Sequence, residues 1–189
     1  MKFNMDEFKN KFDSPLFSII NKMVQIVEEC IGSNPIFSIL CLSTNEKIIQ
    51  VFKKMIEQSN GRMLILDESK KKLDNIRSSI GYLAQTIDPN LSMTYQLSLI
   101  GNDINIHTYD LIYIDIDEQG KEKDPHEISL DILQKFLLIY PKMNSKTLIV
   151  INSLSDSKPY LQYVDNVWSK LGFRRNRMGN GYNFYEKKM

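Results

Sequence analysis

The sequence predicts an α/β domain of three layers, in which helices cover both faces of a mostly parallel sheet that ends in an antiparallel hairpin. Two observations predict this class. Short apolar runs alternate with segments whose apolar residues recur at helical spacing, and this order implies strands joined by right-handed helical crossovers. Near the C-terminus, Gly179-Asn180-Gly181 separates two β-prone runs, and Asn-Gly favours the tight turn of a hairpin.

The composition fits one globular domain. The 189 residues can bury a complete core, and 42% hydrophobic with 25% charged residues is close to the globular average. The net charge of +1 gives no reason to expect a nucleic-acid partner. The N-terminus is polar and no apolar run reaches about 20 residues, so we expect a cytoplasmic protein with no membrane partner. Cys30 and Cys41 lie in apolar surroundings and are predicted to be reduced, buried thiols.

We predict a single domain over residues 1–189, with an N-terminal helical addition at 1–35 and an α/β core at 36–189. The addition contains a helix that starts at Asp13-Ser14-Pro15, where a capping residue is followed by proline at the first helical position, and that ends at Gly32. The predicted strands of the core are 36–42, 63–66, 93–100, 109–117 and 147–151, followed by hairpin strands at 173–177 and 182–185.

The helices of the core follow from apolar spacing and from their end signals. Asn45 can cap a helix over 46–58, and Ser69 opens the next helix, which continues through Ile80. Asp124-Pro125 and Lys158-Pro159 each place a proline at a helix start, and Gly172 ends the last helix.

The core is organised around the strand Tyr109-Asp110-Leu111-Ile112-Tyr113-Ile114-Asp115-Ile116-Asp117. A continuous apolar run of this length fits a strand that helices cover on both faces. Asp115 and Asp117 then lie at its carboxyl end, the edge where open α/β sheets bind ligands. With Asn152 from the fifth strand, these acids could hold a divalent metal or orient a substrate hydroxyl; surface acids at a strand end are the alternative.

Three other strand ends carry polar residues. Ser43 and Thr44 offer hydroxyl donors beside a helix N-terminus that could receive an anion, although an ordinary capped turn has the same composition. Asp67, after the second strand, suits a ribose diol because a carboxylate accepts two hydrogen bonds; a helix-capping acid is the alternative. Asn102-Asp103 follows the predicted third strand, where it would meet an adenine amino group or form a polar turn.

In this order, residues 36–187 resemble the Rossmann-like class I S-adenosylmethionine-dependent methyltransferases. The resemblance is carried by Leu64-Ile65-Leu66-Asp67, by Gly101-Asn102-Asp103 and by the central strand, which is similar to the "(F/Y)DLIFID" strand of small-molecule O-methyltransferases. The passage from Leu138 through the fifth strand is similar to that family's "L-x-P-G-G-x-L-V-V", and Leu171-Gly172-Phe173 with the hairpin matches its antiparallel last strand.

The resemblance implies S-adenosylmethionine as the cofactor and a small molecule as the methyl acceptor. Asp67 would hold the cofactor ribose and Asp103 the adenine, while Asp115 would lie next to the methyl-transfer site. The N-terminal helix would cover the substrate site or form a homodimer. The predicted site residues for the cofactor are Ser43, Thr44, Asp67 and Asp103. The predicted catalytic residues are Asp115 and Asp117, whose carboxylates would accept the proton of the acceptor hydroxyl.

The chain departs from the family pattern in three places. The first turn, Leu42-Ser43-Thr44-Asn45-Glu46, has no glycine where the family's backbone approaches its ligand closely. Pro141-Lys142-Met143-Asn144 replaces the "P-G-G" turn. Metal-dependent members carry an Asp-Asn pair after the fifth strand, and Ile151-Asn152 lacks the acid, so we expect no metal.

Three functions stay open at this point. Methyl transfer from S-adenosylmethionine to an oxygen of a small molecule is the leading hypothesis. A partner-binding scaffold without cofactor is favoured by the missing glycines and opposed by Asp67 and Asp103. A nicotinamide dinucleotide enzyme is disfavoured because no G-x-G-x-x-G is present. His107 and His126 are further candidate bases, with solvated loop histidines as the alternative.

Overall fold

The computed structural model of the chain describes residues 2–31, 37–43, 45–67, 69–80, 84–86, 91–103, 108–116, 124–152, 159–179 and 182–187. Its helices are α1 (Ser14–Ile31), α2 (Glu46–Ser59), α3 (Lys70–Ile80), α4 (Met93–Asn102), α5 (Pro125–Ile139) and α6 (Pro159–Lys170). Its strands are β1 (Ser38–Leu42), β2 (Arg62–Ile65), β3 (Ala84–Thr86), β4 (Tyr109–Asp115), β5 (Met143–Asn152), β6 (Phe173–Gly179) and β7 (Tyr182–Lys187). Within these ranges no helix combines the length and the apolar character that a bilayer span requires.

The seven strands form one sheet in the order β3-β2-β1-β4-β5-β7-β6. The strands from β1 to β5 pair in parallel, whereas β7 is antiparallel to both β5 and β6. This confirms the predicted α/β fold with an antiparallel C-terminal hairpin. The last strand of the chain, β7, lies between β5 and β6, so the hairpin joins the parallel sheet through its second strand.

Helices cover both faces of the sheet and bury two apolar clusters. The first cluster joins α1, α2 and α3 to one face, through residues such as Met23, Phe52 and Ile76. The second joins α4, α5 and α6 to the other face, where the ring centroids of Trp168 and Phe136 are 4.4 Å apart. Because consecutive strand residues point to opposite faces, β1, β2, β4, β5 and β7 each contribute residues to both clusters.

Two serine–aspartate pairs tie β1 to β4, and the partners of each pair are 72 residues apart in the sequence. At the amino end, the Ser38 amide and hydroxyl both donate hydrogen bonds to Asp110 Oδ2, each at 2.9 Å. Asp110, which lies within the strand predicted at 109–117, is therefore a structural residue that fixes the register of β1 and β4. A second pair, Ser43 with Asp115, lies at the carboxyl end of the same strands.

The N-terminal segment packs on the first cluster. Its four buried apolar side chains are Phe3, Met5, Phe8 and Phe12. The Gln58 side chain of α2 holds the backbone of Asn4 in both directions, since Asn4 N donates to Gln58 Oε1 at 2.8 Å and Gln58 Nε2 donates to Asn4 O at 3.2 Å. The apolar face of α1 is likewise buried against the sheet. A homodimer contact through α1 stays a prediction and would have to use its outward residues.

The predicted third strand is wrong: residues 93–100 form helix α4, and the third strand is the shorter β3 beside β2. The segment alternates apolar and polar residues from Met93 to Leu99, which is typical of a strand. Its burial is helical instead, because the buried residues are Met93, Gln96, Leu97 and Ile100. Ser92 caps the helix, since its Oγ accepts a hydrogen bond from the Tyr95 amide at 3.4 Å.

Gly101 lies in the last turn of α4 and allows this helix to approach α5. A Cβ atom at this position would lie 2.2 Å from the Leu138 carbonyl oxygen, far inside van der Waals contact. The motif Gly101-Asn102-Asp103, interpreted from the sequence as a turn after a strand, is therefore a helix end held against a neighbouring helix.

Gly101→Ala should lower the free energy of unfolding by about 1–3 kcal/mol, because the added methyl group must push α4 away from α5. Thermal unfolding followed by circular dichroism measures the effect. Asn102→Ala changes the next, exposed residue and is the matched control, with a much smaller expected effect. Equal losses in both variants would contradict the close helix packing.

Candidate functional site

Four polar residues lie side by side at the carboxyl edge of the sheet, and we call Ser43, Asp115, Asn152 and Tyr182 the edge row. Leu42 pairs with Ile114, so Ser43 and Asp115 are the next residues on β1 and β4. Asp115 pairs with Asn152 of β5, and Asn152 pairs with Tyr182 of β7. The side chains of Cys41, Tyr113, Val150 and Tyr182 belong to the first cluster, so the edge row continues that face of the sheet.

The Asp115 carboxylate is held by two donors of the edge row. Ser43 Oγ donates to Asp115 Oδ2 at 3.1 Å, and Asn152 Nδ2 donates to Asp115 Oδ1 at 3.3 Å. Ser43 is only 6% exposed and Asn152 only 7%, whereas Asp115 is partly exposed. The structure thus brings the predicted residues Ser43 and Asp115 together, and it presents an aligned carboxylate at the rim of the core.

In the turn after β1, the side chains of Ser43 and Asn45 accept hydrogen bonds from backbone amides. Ser43 Oγ accepts a hydrogen bond from the Asn45 amide at 3.1 Å. Asn45 Oδ1 accepts from the amides of Lys47 and Ile48 at 3.1 and 3.4 Å, which makes Asn45 the N-cap of α2 as predicted. These two helix amides therefore serve the cap, as in the capped turn that the sequence left open as the alternative, and anion binding beside Ser43 stays a prediction. Thr44 lies outside the described residues.

Asp67 lies at the same edge, after β2 and beside the first turn. The Leu66 amide donates to the Cys41 carbonyl at 2.9 Å, so the ladder between β1 and β2 continues to the residue before Asp67. Asp67 is half-buried, and its Oδ1 accepts a hydrogen bond from the Ser69 amide at 2.6 Å. Asp67 thus orders the start of the following helix, and it remains a candidate for the ribose contact.

Asp103 is at the opposite edge of the sheet, which corrects its predicted position after a third strand. It follows α4, and its amide donates to the Leu99 carbonyl at 3.1 Å. Its carbonyl accepts a hydrogen bond from Nζ of the buried Lys142, which immediately precedes the start of β5. Because α4 replaces the expected strand, the chain has already returned to the amino edge at this residue, away from Asp67 and Asp115.

Several predicted candidates cannot be compared with the site. Asp117 and His107 lie outside the described residues, as does the side chain of His126. Among the residues that are described, no group of three or more His, Cys, Asp and Glu side chains could hold a metal. Asn152 turns its amide nitrogen toward Asp115, so this pair presents a donor rather than two oxygen ligands. The expectation of no metal stays a prediction.

Two tyrosines near the edge row were missed from the sequence. Tyr182 opens β7, and the register of the Asn-Gly hairpin was the signal that could have located it opposite the end of β5. Tyr113 lies within the strand predicted at 109–117, where nothing in the sequence distinguishes it from the apolar residues around it. Cys41 also lies here, and burial raises the pKa of its thiol well above the ordinary value, with a further contribution from Asp115. Its thiol is free, buried and unsuited to nucleophilic attack.

Ser43→Ala should lower the free energy of unfolding by about 1–3 kcal/mol, because it removes one donor from the Asp115 carboxylate and the acceptor of the Asn45 amide. Urea unfolding gives the value. Ser78→Ala is the control, since the Ser78 hydroxyl is exposed and donates only within its own helix, to the Asn75 carbonyl. A Ser43→Ala protein as stable as the wild type would show that the edge row is not a structural link.

Comparison with solved structures supports the same fold. No protein-family model and no curated protein sequence matches the chain. The methyltransferase MycE from the mycinamycin biosynthetic pathway, in complex with Mg and S-adenosylhomocysteine (SAH), superposes with a TM-score of 0.63 at 15% identity, over 99% of this chain and 49% of that chain. This chain therefore spans about half the length of MycE.

Two further structures match over most of both chains. CalS11, a TDP-rhamnose 3'-O-methyltransferase of calicheamicin biosynthesis, has a TM-score of 0.64 at 10% identity, over 97% of this chain and 86% of its own. Human methyltransferase-like protein 13, in complex with SAH, has a TM-score of 0.57 at 14% identity, over 89% and 82%. At such identities the likeness concerns the fold, and the chain has the Rossmann-like fold of the S-adenosylmethionine-dependent methyltransferases.

Proposed function

We propose that this chain binds S-adenosylmethionine at the carboxyl edge of the sheet and transfers its methyl group to an oxygen of a small molecule. The observation that carries the proposal is the pair of carboxylates, Asp67 after β2 and Asp115 at the end of β4, on the two sides of the first turn. Ligands of open α/β sheets bind at this edge, where the strand order reverses beside β1.

The residues at this edge have the chemistry that the cofactor needs at two points. Asp67 offers a half-buried carboxylate to a ribose diol, although one of its oxygens also accepts the Ser69 amide. Asp115 offers a negative charge where a sulfonium would lie. The first turn differs, because Ser43 and Asn45 side chains already use its amides. Contacts to the methionine part of the cofactor then have to come from side chains of this turn rather than from a glycine-rich backbone.

The roles of the chain's own residues in methyl transfer follow from this geometry. S-adenosylmethionine supplies an electrophilic methyl group, which passes to a nucleophilic oxygen by in-line displacement. Asp115 accepts a hydrogen bond from the acceptor hydroxyl and takes its proton as the new O–C bond forms. Ser43 and Asn152 keep the carboxylate aligned for this contact, so the reaction depends mainly on holding the reactants close and in line. Asp117 remains the second predicted acid.

The names of the structural neighbours support the choice of a small molecule and of oxygen. CalS11 is described as a 3'-O-methyltransferase of TDP-rhamnose, and MycE as a methyltransferase of the mycinamycin pathway. Both resemble this chain over nearly its whole length, which makes an oxygen of a small molecule the first acceptor class to test.

A second candidate function is partner binding without a cofactor. It is favoured by one observation: in the glycine-free first turn, backbone amides already donate hydrogen bonds to the Ser43 and Asn45 side chains. In that case the edge row would serve only to join β1, β4 and β5. The two functions differ in a single measurable property, which is the affinity for S-adenosylmethionine.

Asp67→Ala should weaken the binding of S-adenosylmethionine and SAH by at least about tenfold, because a carboxylate that accepts two ribose hydrogen bonds is lost. Isothermal titration calorimetry measures both affinities. Asp103→Ala is the matched control: it removes an acid that sequence analysis placed at the adenine but the structure places at the far edge, and it should leave both affinities unchanged.

The outcomes separate the two candidate functions. Binding that weakens in Asp67→Ala but not in Asp103→Ala supports the cofactor site. Wild-type affinity in the Asp67→Ala protein would overturn the assignment of the ribose contact. If the wild-type protein binds neither compound at millimolar concentration, the methyltransferase proposal fails and the scaffold function takes its place.

A further inference from the structure

The Tyr113 hydroxyl is a buried polar group with no hydrogen-bond partner among the described residues. Tyr113 is completely buried, at 0% exposure. A buried donor without an acceptor is costly, so such a group in a native protein calls for an explanation. In the described part of the chain, the other side-chain atoms of this kind are Gln96 Oε1, Trp168 Nε1 and Arg175 Nη1, and none of these residues belongs to the edge row.

Tyr113 lies directly below the edge row. It is two residues before Asp115 on β4 and points to the same face of the sheet, between Cys41 of β1 and Val150 of β5. The edge of its ring meets Phe52 of α2, with the centroids 5.4 Å apart and the planes at 75°. The ring is therefore fixed between the sheet and α2.

The hydroxyl is close to the edge row and stays protonated. Burial is the main cause that raises the pKa of Tyr113 well above its ordinary value, and Tyr182, Asp115 and Cys41 add to the shift. Tyr182 and Asp115 are both one same-face step closer to the carboxyl edge than Tyr113. Tyr182 acts on the hydroxyl both through its charge and as a hydrogen-bonding side chain, although the pair lies outside the strict distance and angle limits of a hydrogen bond. The Tyr113 hydroxyl and the Asp115 carboxylate thus interact electrostatically on one face of the sheet, with no hydrogen bond between them.

We propose that Tyr113 is a positioning residue of the methyl-transfer site, whose hydroxyl donates a hydrogen bond to the Asp115 carboxylate when S-adenosylmethionine is bound. The inference rests on the proposed function. Asp115 is now oriented by Ser43 and Asn152, which are themselves at the site. A ligand that draws either donor toward itself leaves a place on the carboxylate, and Tyr113 is a buried donor on that face, two residues from Asp115 on the same strand.

This exchange of donors has a consequence for ligand selection. A carboxylate that Tyr113 holds in place keeps its charge directed at the sulfonium, which carries a positive charge in S-adenosylmethionine and is a neutral sulfide in SAH. The ratio of the two affinities therefore reports the position of the Asp115 charge. A residue that merely fills the core would change both affinities together.

The test compares Tyr113→Phe with Tyr185→Phe, and both remove only a hydroxyl. In Tyr113→Phe, calorimetric titration should show the preference for S-adenosylmethionine over SAH reduced by about threefold to tenfold, the effect of one hydrogen bond. The melting temperature should stay the same or rise, because an unpartnered buried hydroxyl is lost. Tyr185→Phe should lower the melting temperature and keep the preference, since its hydroxyl donates to Asp165 at 2.9 Å on the other face.

A double variant tests whether Tyr113 acts through Asp115. Asp115→Asn alone should reduce the preference for S-adenosylmethionine, and adding Tyr113→Phe should then cause no further change. An additional loss in the double variant overturns the inference, as does an unchanged preference in Tyr113→Phe. If the wild-type protein binds neither compound, the proposed function fails and this inference fails with it, whereas binding with an unaltered preference refutes the inference alone.

Discussion

The structure depends on how a negative charge is held at the end of β4, the middle strand of the sheet. The residues of β4 from Leu111 to Ile114 are almost completely excluded from solvent, and Asp115 follows them at the rim of the same core. A carboxylate in such a place is costly unless hydrogen bonds compensate for lost water. Ser43 and Asn152 supply those bonds, and both are nearly as buried as the apolar residues around them.

The same requirement ties the centre of the sheet together. β4 is bonded to β1 by a serine and an aspartate at each end, Ser38 with Asp110 and Ser43 with Asp115. A strand slip of one residue would break both pairs and would also turn every apolar side chain to the wrong face. The site and the register of the sheet are therefore supported by the same interactions, which explains how the first turn keeps a defined shape without glycine.

The sequence predicts most of the fold because local and global signals agree. Alternating strands and helices, the Asn45 cap and the Asn-Gly hairpin all lead to the observed elements. The prediction fails where two periodicities overlap: the alternation from Met93 to Leu99 suggests a strand, whereas packing against α5 at Gly101 requires a helix. That error also misplaced Asp103, since strand ends and helix ends lie at opposite edges of the sheet.

The candidate site was predictable in part. The position of Asp115 and Asn152 follows from the ends of two neighbouring parallel strands, so their proximity could be expected. The orientation of the Asn152 amide, the use of helix amides by Asn45 and the missing partner of Tyr113 depend on distances of a few tenths of an ångström. Such details arise from packing between distant segments, which no local pattern encodes.

The packing of the N-terminal segment also bears on the order in which the chain can fold. Phe3, Phe8 and Phe12 complete a core whose other residues include Tyr113 and Phe184, and Asn4 is held by Gln58. β1 lies between β2 and β4, so it lacks one neighbour until residues 109–115 have been synthesised. Residues 3–12 are therefore made before the later strands that complete their packing, and their aromatic side chains stay exposed to other chains or chaperones in the interval.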